Sequence, residues 1–267
     1  MNSLLFIFLF AVISNHKQMS QIKMDNQIII TVIYDNYSAS PDFRSDWGFS
    51  CLIEGKEKTI LFDTGTNPDI FRDNLEKLEI DLRKIDMIVI SHNHGDHTGG
   101  LPYLIRQKVM APLYIPFSVK DEFSRQFPEL SSILITVTDP VEICDGVYLT
   151  GEMGTGIKEQ SLILETEEGL VIITGCSHPG IQHILHKTKE ISEDPIHLVM
   201  GGFHMLNHST AEIENIIEQF IHLGVIRSGP THCTGDKAIQ LFKKAYKTDF
   251  FKLGSGRRIF IPPSEQP

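Results

Sequence analysis

The chain is short of several things, and each shortage excludes something. It has four cysteines, Cys51, Cys144, Cys176 and Cys233, and no two form a C-x-x-C pair. Spread over 267 residues they do not read as a disulfide framework, which fits a reducing compartment. No Pro/Ser-rich linker, internal repeat or low-complexity tract divides the chain. The reading is therefore one domain, large enough to bury a substantial core. No Lys/Arg cluster marks a nucleic-acid footprint, and the net charge of −10 argues against nucleic acid as a partner. A small anionic substrate stays open, because charge at a site matters more than the total.

The N-terminal apolar run, Leu4 to Ile13, is ten residues long, too short for an ordinary membrane span. Its length suits a signal-peptide core. However, Met1-Asn2-Ser3 carries no Lys or Arg, and Ser14-Asn15-His16-Lys17 offers no A-x-A-like cleavage site. Residues 1–24 are read as a leader or signal-like segment outside the fold, with a translation start at Met19 or Met24 as the alternative. Residues 25–267 are read as a single domain. The expected location is cytoplasmic, with export the alternative if residues 1–24 act as a signal peptide. No stable membrane span is expected, and the sequence carries no signal of oligomeric state.

What is there is concentrated in Ser91 to Gly100, S-H-N-H-G-D-H-T-G-G. His92, His94, Asp96 and His97 fall within six residues, directly after the apolar run Met87-Ile88-Val89-Ile90. That run has the length and β-branched content of a buried strand. Neutral imidazole binds zinc and related ions, and carboxylate suits harder cations. In an extended loop residues i and i+2 point the same way, so His92 and His94 can grip one metal. Asp96 and His97 can reach a second, with Gly95 letting the backbone turn between the pairs. Gly99 and Gly100 allow tight packing behind the loop. Two metals roughly 3.5–4 Å apart can clamp a substrate oxygen between them.

Further strands are expected at 27–34, 48–53, 59–62, 113–115, 133–137, 161–165, 170–173, 196–200, 225–226 and 258–261, with a strand pair in 141–149. Helices are expected at 67–78, 98–106, 118–126, 181–191, 210–223 and 238–246. Asn67 with Pro68 gives the first a capped start. Ile213, Ile216, Ile217, Phe220 and Ile221 give the 210–223 helix its apolar spacing. Three more histidines, His178, His204 and His232, each close a strand, as the metal loop does. His183, His186 and His222 read as helix-surface residues. Asp63 also follows a strand, where its position alone reads as a turn former or helix cap.

The S-H-N-H-G-D-H segment resembles the HxHxDH signature of the metallo-β-lactamase superfamily. With W-G-F-S-C-L-I-E, F-D-T-G-T-N-P-D, T-G-C-S-H-P-G-I, G-G-F-H, T-H-C-T-G and L-G-S-G-R-R-I, the resemblance covers nearly the whole chain beyond residue 27. It narrows to the branch named for 7,8-dihydropterin-6-ylmethyl-4-(β-D-ribofuranosyl)aminobenzene 5′-phosphate synthase. The resemblance implies an α+β fold, an αββα four-layer sandwich with a dinuclear metal site at one edge. It implies His92 and His94 as ligands of metal 1, and Asp96, His97 and His232 as ligands of metal 2.

The sequence departs from the family majority at the third metal 1 ligand. Residues 154–161 (GTGIKEQS) lack the usual histidine, so His178 is expected to supply the imidazole. Cys176 stands where many members carry a metal-bridging Asp; it is either a thiolate ligand or a packed small residue. Asp63 is expected to support the site. His204 is read either as touching metal or substrate or as a core histidine satisfied by backbone. Glu159 and Gln160 stand at the place of the missing histidine loop as candidate supports of the site, and Cys233 is read as packing. Redox-active relatives carry Glu in place of the second histidine of the motif; His94 favours the hydrolytic branch.

The expected function is a dinuclear metal-dependent enzyme with hydrolase-type chemistry on a small phosphate-bearing or cyclic ester substrate. Its cofactors would be two divalent ions, zinc first, manganese or iron as alternatives. Asp96 would bind metal 2 and orient, or take a proton from, the attacking water. Two alternatives stand beside this: a transferase of pterin biosynthesis, and a metal-dependent binding or sensor protein without turnover.

Overall fold

The computed structural model describes residues 27–262. The leader-like segment, residues 1–24, lies outside the described residues. Among the described residues no helix is long and apolar enough to cross a membrane.

In chain order the strands are β1 (Ile28–Tyr34), β2 (Ser50–Glu54), β3 (Ile60–Phe62), β4 (Met87–Val89), β5 (Leu113–Pro116), β6 (Leu134–Val137), β7 (Val141–Cys144), β8 (Val147–Leu149), β9 (Leu162–Thr166), β10 (Gly169–Thr174), β11 (Ile196–Gly202), β12 (Arg227–Thr231) and β13 (Arg258–Ile261). The helices are α1 (Pro68–Lys77), α2 (Gly95–Thr98), α3 (Leu101–Arg106), α4 (Lys120–Gln126), α5 (Ile181–Ile191), α6 (Thr210–His222) and α7 (Asp236–Tyr246). One sheet runs β13-β1-β2-β3-β4-β5-β6 and the other β12-β11-β10-β9-β8-β7.

Side chains alternate across a strand, so a strand buried on both faces feeds two cores. Cys51 and Ile53 of β2 face the inter-sheet core, while Leu52 between them faces the outer helices. On the other sheet, Val171 and Ile173 of β10 enter the same central core, while Ile172 joins α5, α6 and α7. The result is the α/β/β/α order of layers. Ile70, Phe71 and Leu75 anchor α1 on the first sheet, and the Asn67 side chain caps it by accepting from the Asp69 and Ile70 backbone N–H groups.

β3, β4, β5 and β6 are parallel, as are β10, β11 and β12. β1 runs with β3, because both are antiparallel to β2. The C-terminal ends of β1, β3, β4, β10, β11 and β12 therefore meet at one edge of the sandwich, the usual place for a ligand site in such sheets.

Three local expectations are corrected. The expected strand at 225–226 is displaced to Arg227–Thr231, which contains Pro230. Among the named strands β12 pairs with β11 alone, an isolated Ser228–Phe250 bridge apart, and an edge strand tolerates a residue that cannot donate to the ladder. Ile221 is 60% exposed, off the buried face of α6 formed by Ile213, Ile216, Ile217 and Phe220. The second half of the metal loop is not extended: Gly95–Thr98 is a helical turn with His94 at its N-cap. Gly95 makes no special turn, and a Cβ there would meet nothing within 4 Å. Gly99 does carry the expected close packing, since a Cβ there would lie 1.8 Å from the Thr66 carbonyl oxygen.

Candidate metal centre

Six strand ends deliver the polar groups. Asn36 follows β1, Asp63 follows β3, Ser91 and His92 follow β4, Cys176 and His178 follow β10, His204 follows β11, and His232 follows β12. Asp63, Ser177, His204 and His232 all have positive φ, between 51° and 66°. Such backbone is uncommon for residues other than glycine and clusters at functional sites.

The donors fall into two adjoining groups. His92, His94 and His178 form the first, with their ligand atoms within 4.8 Å of one another. His92 Nε2 is 3.0 Å from His94 Nδ1, and the His178 ring lies 4.8 Å from that of His92 and 5.0 Å from that of His94. The second group is Asp96, His97, Cys176 and His232. Cys176 Sγ is 3.4 Å from His97 Nε2 and 3.3 Å from His232 Nε2. Asp96 Oδ2 is 3.6 Å from His97 Nε2 and 3.3 Å from His232 Nε2.

Hydrogen bonds behind the rings decide which nitrogen faces inward. Ser91 Oγ donates to Asp63 Oδ2 at 2.7 Å, so its oxygen is free to accept from His92 Nδ1 at 2.9 Å. His97 Nδ1 donates to the same Asp63 Oδ2 at 2.6 Å. His232 Nδ1 donates to Asn36 Oδ1 at 2.9 Å. Asn36 is fixed in that orientation because its amide donates to His232 O and its oxygen accepts from the Gly48 N–H. In all three rings Nδ1 is engaged outward and Nε2 faces the centre, the arrangement that outer partners impose on metal-binding histidines.

The loop carrying Cys176 and His178 is held from beneath. The buried Glu159 carboxylate accepts from the backbone N–H groups of Cys176 and Ser177, both at 2.9 Å, and of His178 at 2.8 Å. Gln160 donates from its side chain to Ile90 O, tying the same segment to the end of β4. Trp47 closes the other side. Its indole N–H donates to Asp96 Oδ2 at 2.8 Å, and its ring lies 4.9 Å from that of His232.

Electrostatics follow from this packing. Burial, reinforced by neighbouring imidazoles, drives His92 well below its ordinary value and takes His178 down to about 4. Both rings are neutral near pH 7, the form that binds metal. Burial opposes charge on His97, but the Asp63 carboxylate beside it prevails and lifts it to about 9. Burial likewise opposes charge on Asp96, yet His232 and His97 hold it below the usual carboxylate range. Burial raises Glu159 to about 7 against its three backbone donors.

The residues fit metal ions. His178 Nε2 is buried with no hydrogen-bond partner, and it belongs to a cluster of three imidazoles. The second group combines a carboxylate, two imidazoles and a thiol, a set suited to zinc.

The structure brings together His92, His94, Asp96, His97, His178, Cys176 and His232, with Asp63 behind them. His204 is exposed at the rim, its ring 4.4 Å from that of His178. Sequence reasoning passed over Asn36, Trp47 and Ser91, and gave Glu159 only an undecided supporting role. Asn36 was within reach, since it follows a strand end like the histidines. Trp47 and Glu159 carry no local signal.

The metallo-β-lactamase superfamily pattern matches residues 48–212, and the chain belongs to that superfamily. Within it, the chain is 31% identical, over 89% of its length and 97% of the relative's, to the 7,8-dihydropterin-6-methyl-4-(β-D-ribofuranosyl)-aminobenzene-5′-phosphate synthase of Methanocaldococcus jannaschii. It is also 31% identical to an uncharacterized protein of the same organism, over 79% of this chain and 92% of that one. Among solved structures, it is similar to a metal-dependent hydrolase of the β-lactamase superfamily, with a TM-score of 0.74 and 32% identity over 87% of this chain and 98% of that one.

Proposed function

We propose that this protein is a dinuclear metal-dependent enzyme with hydrolase-type chemistry on a small phosphate-bearing or cyclic ester substrate. The observation that carries the reading is the pair of adjoining donor groups, His92/His94/His178 and Asp96/His97/Cys176/His232, in which the buried His92, His97 and His232 rings turn Nε2 inward. When bound, two divalent ions supply Lewis acidity for an electrophilic oxygen and a nucleophile at neutral pH. Zinc is the favoured ion because a thiol stands in the second group.

The chain's own residues do the positioning. Asp63 and Asn36 set the tautomers of His97 and His232. Asp96, ionised at neutral pH and held by Trp47, orients the nucleophile and accepts its hydrogen bond. A cleft of about 440 Å³, lined in part by Met153, Thr155, Ile157 and His178, opens beside the first group. That volume suits a small molecule.

A second reading is transferase chemistry on a dihydropterin, favoured by the 31% identity to a synthase so named. Metal content per chain tests the common part, for wild type and for His178→Ala. At least two ions in wild type and one fewer in the variant are expected; equal contents remove His178 from the ligand set, and no uptake by either protein ends the proposal. Loaded protein is then offered phosphodiesters, lactones, and a dihydropterin together with a ribofuranosylaminobenzene 5′-phosphate. Turnover of the last pair alone selects the transferase.

A further inference from the structure

A third set of donors converges beside the two groups already described. Cys176, His204 and Cys233 each place a ligand atom within 4.8 Å of the other two. They arrive from the ends of three neighbouring parallel strands, β10, β11 and β12. Both thiols are buried, Cys176 at 3% and Cys233 at 1% exposure, while His204 is exposed. Cys233 Sγ donates to the Cys176 carbonyl oxygen at 3.4 Å, which turns the thiol toward the neighbouring strand end. The strands approach closely here: a Cβ on Gly202 would fall 2.7 Å from Cys233 Sγ and 3.2 Å from Cys176 Cα. His204 has a φ of 54°, so the chain adopts a costly backbone conformation at the residue that brings an imidazole to two sulfurs.

Small buried cysteines often do no more than fill space. That account covers two packed thiols but not the imidazole beside them. Two thiolates and one imidazole form a known zinc ligand set that leaves a fourth position open. Here His204 is exposed, so solvent reaches the edge of the set. Soft sulfur donors select zinc, cadmium or copper(I) over magnesium or manganese. Cys176 Sγ also faces His97 and His232, at 3.4 and 3.3 Å, so one sulfur stands between two donor groups.

We propose that Cys176, His204 and Cys233 form a third metal site, for a thiophilic divalent ion, that shares the Cys176 sulfur with the Asp96/His97/His232 group. The sharing rests on the dinuclear reading; the three-donor set does not.

The test uses the full chain, stripped by chelator under a phosphine reductant and loaded with Cd²⁺. Bound ions are counted per chain after gel filtration for wild type, Cys233→Ala, His204→Ala and His92→Ala. The near-ultraviolet thiolate-to-cadmium absorbance is recorded alongside. Wild type is expected to hold one ion more than Cys233→Ala and one more than His204→Ala, with weaker thiolate absorbance in Cys233→Ala. His204 is exposed, so its variant keeps the test open should Cys233→Ala fail to fold. Equal ion counts in wild type and His204→Ala overturn the proposal. A single wild-type ion, lost in Cys233→Ala and His204→Ala but kept in His92→Ala, supports the third site while sinking the dinuclear reading.

Discussion

Asp63 and His97 meet in full burial, with carboxylate Oδ2 2.6 Å from ring Nδ1. The same carboxylate takes the Ser91 N–H at 2.7 Å and the Ser91 hydroxyl at 2.7 Å, and through Ser91 it reaches His92. One side chain thus orients an imidazole in each of the two donor groups. Asp63→Asn keeps the shape but replaces one acceptor oxygen by a donor. It is expected to weaken metal binding by about 10–100-fold, the usual effect of losing such a partner. Chelator competition measures this, and an unchanged affinity would show that Asp63 is only a turn residue.

Trp47 is 44% exposed, yet its N–H is committed to Asp96 Oδ2. Trp47→Phe keeps an aromatic ring against His232 and removes that donor. Because solvent reaches the indole, a loss of only about 3–10-fold in metal affinity is expected. Trp47 is the only tryptophan in the chain, so its emission in wild type is expected to change on metal loading. A flat fluorescence titration in a sample shown to take up metal would sink this reading.

Two glycines of the metal loop should respond oppositely to one methyl group. Gly95 begins α2 with open space at its Cβ position, so Gly95→Ala is expected to gain up to about 1 kcal/mol of stability. Gly99 lies against Thr66, whose carbonyl oxygen and carbon would be 1.8 and 2.4 Å from a Cβ. Gly99→Ala forces backbone apart and is expected to cost about 3 kcal/mol or more. Urea unfolding of the two variants beside wild type decides the matter.

Asp35 is fully buried and accepts the Thr231 hydroxyl at 2.8 and 2.6 Å, one residue before His232. Burial raises its carboxyl from 3.8 to about 7, against those bonds. The folded chain therefore holds a proton that the unfolded chain releases near pH 4. This contribution to stability is present below about pH 4 and is lost as pH rises through about 7. Relative to Asp35→Asn, wild type is expected to lose on the order of a few kcal/mol across that window. Parallel pH profiles of the urea midpoint for the two proteins would refute it.

Much of the architecture is legible because its signals are local. β-branched runs mark strands wherever they fall, and α5 and β13 occupy the residue spans expected for them. Each proposed metal ligand stands at a strand end or one helical turn beyond it, so one rule finds them all. It fails at β12, where Pro230 disguises an edge strand, and at Ile221, where apolar spacing runs one residue past the buried face.

By itself, then, the sequence determined most of the strands and helices and marked the candidate donors, Cys233 apart, because periodicity and ligand spacing are properties of neighbouring positions. Only the tertiary structure decided how the donors are held. His232 owes its inward nitrogen to Asn36, 196 positions away. Glu159 acts by reaching three backbone N–H groups of another loop, and Cys176 meets Cys233 and His204 only when β10, β11 and β12 align. Such partners are chosen by the stacking of two sheets and the parallel course of their strands, which brings distant chain segments within hydrogen-bond reach; local pattern does not say which segment meets which.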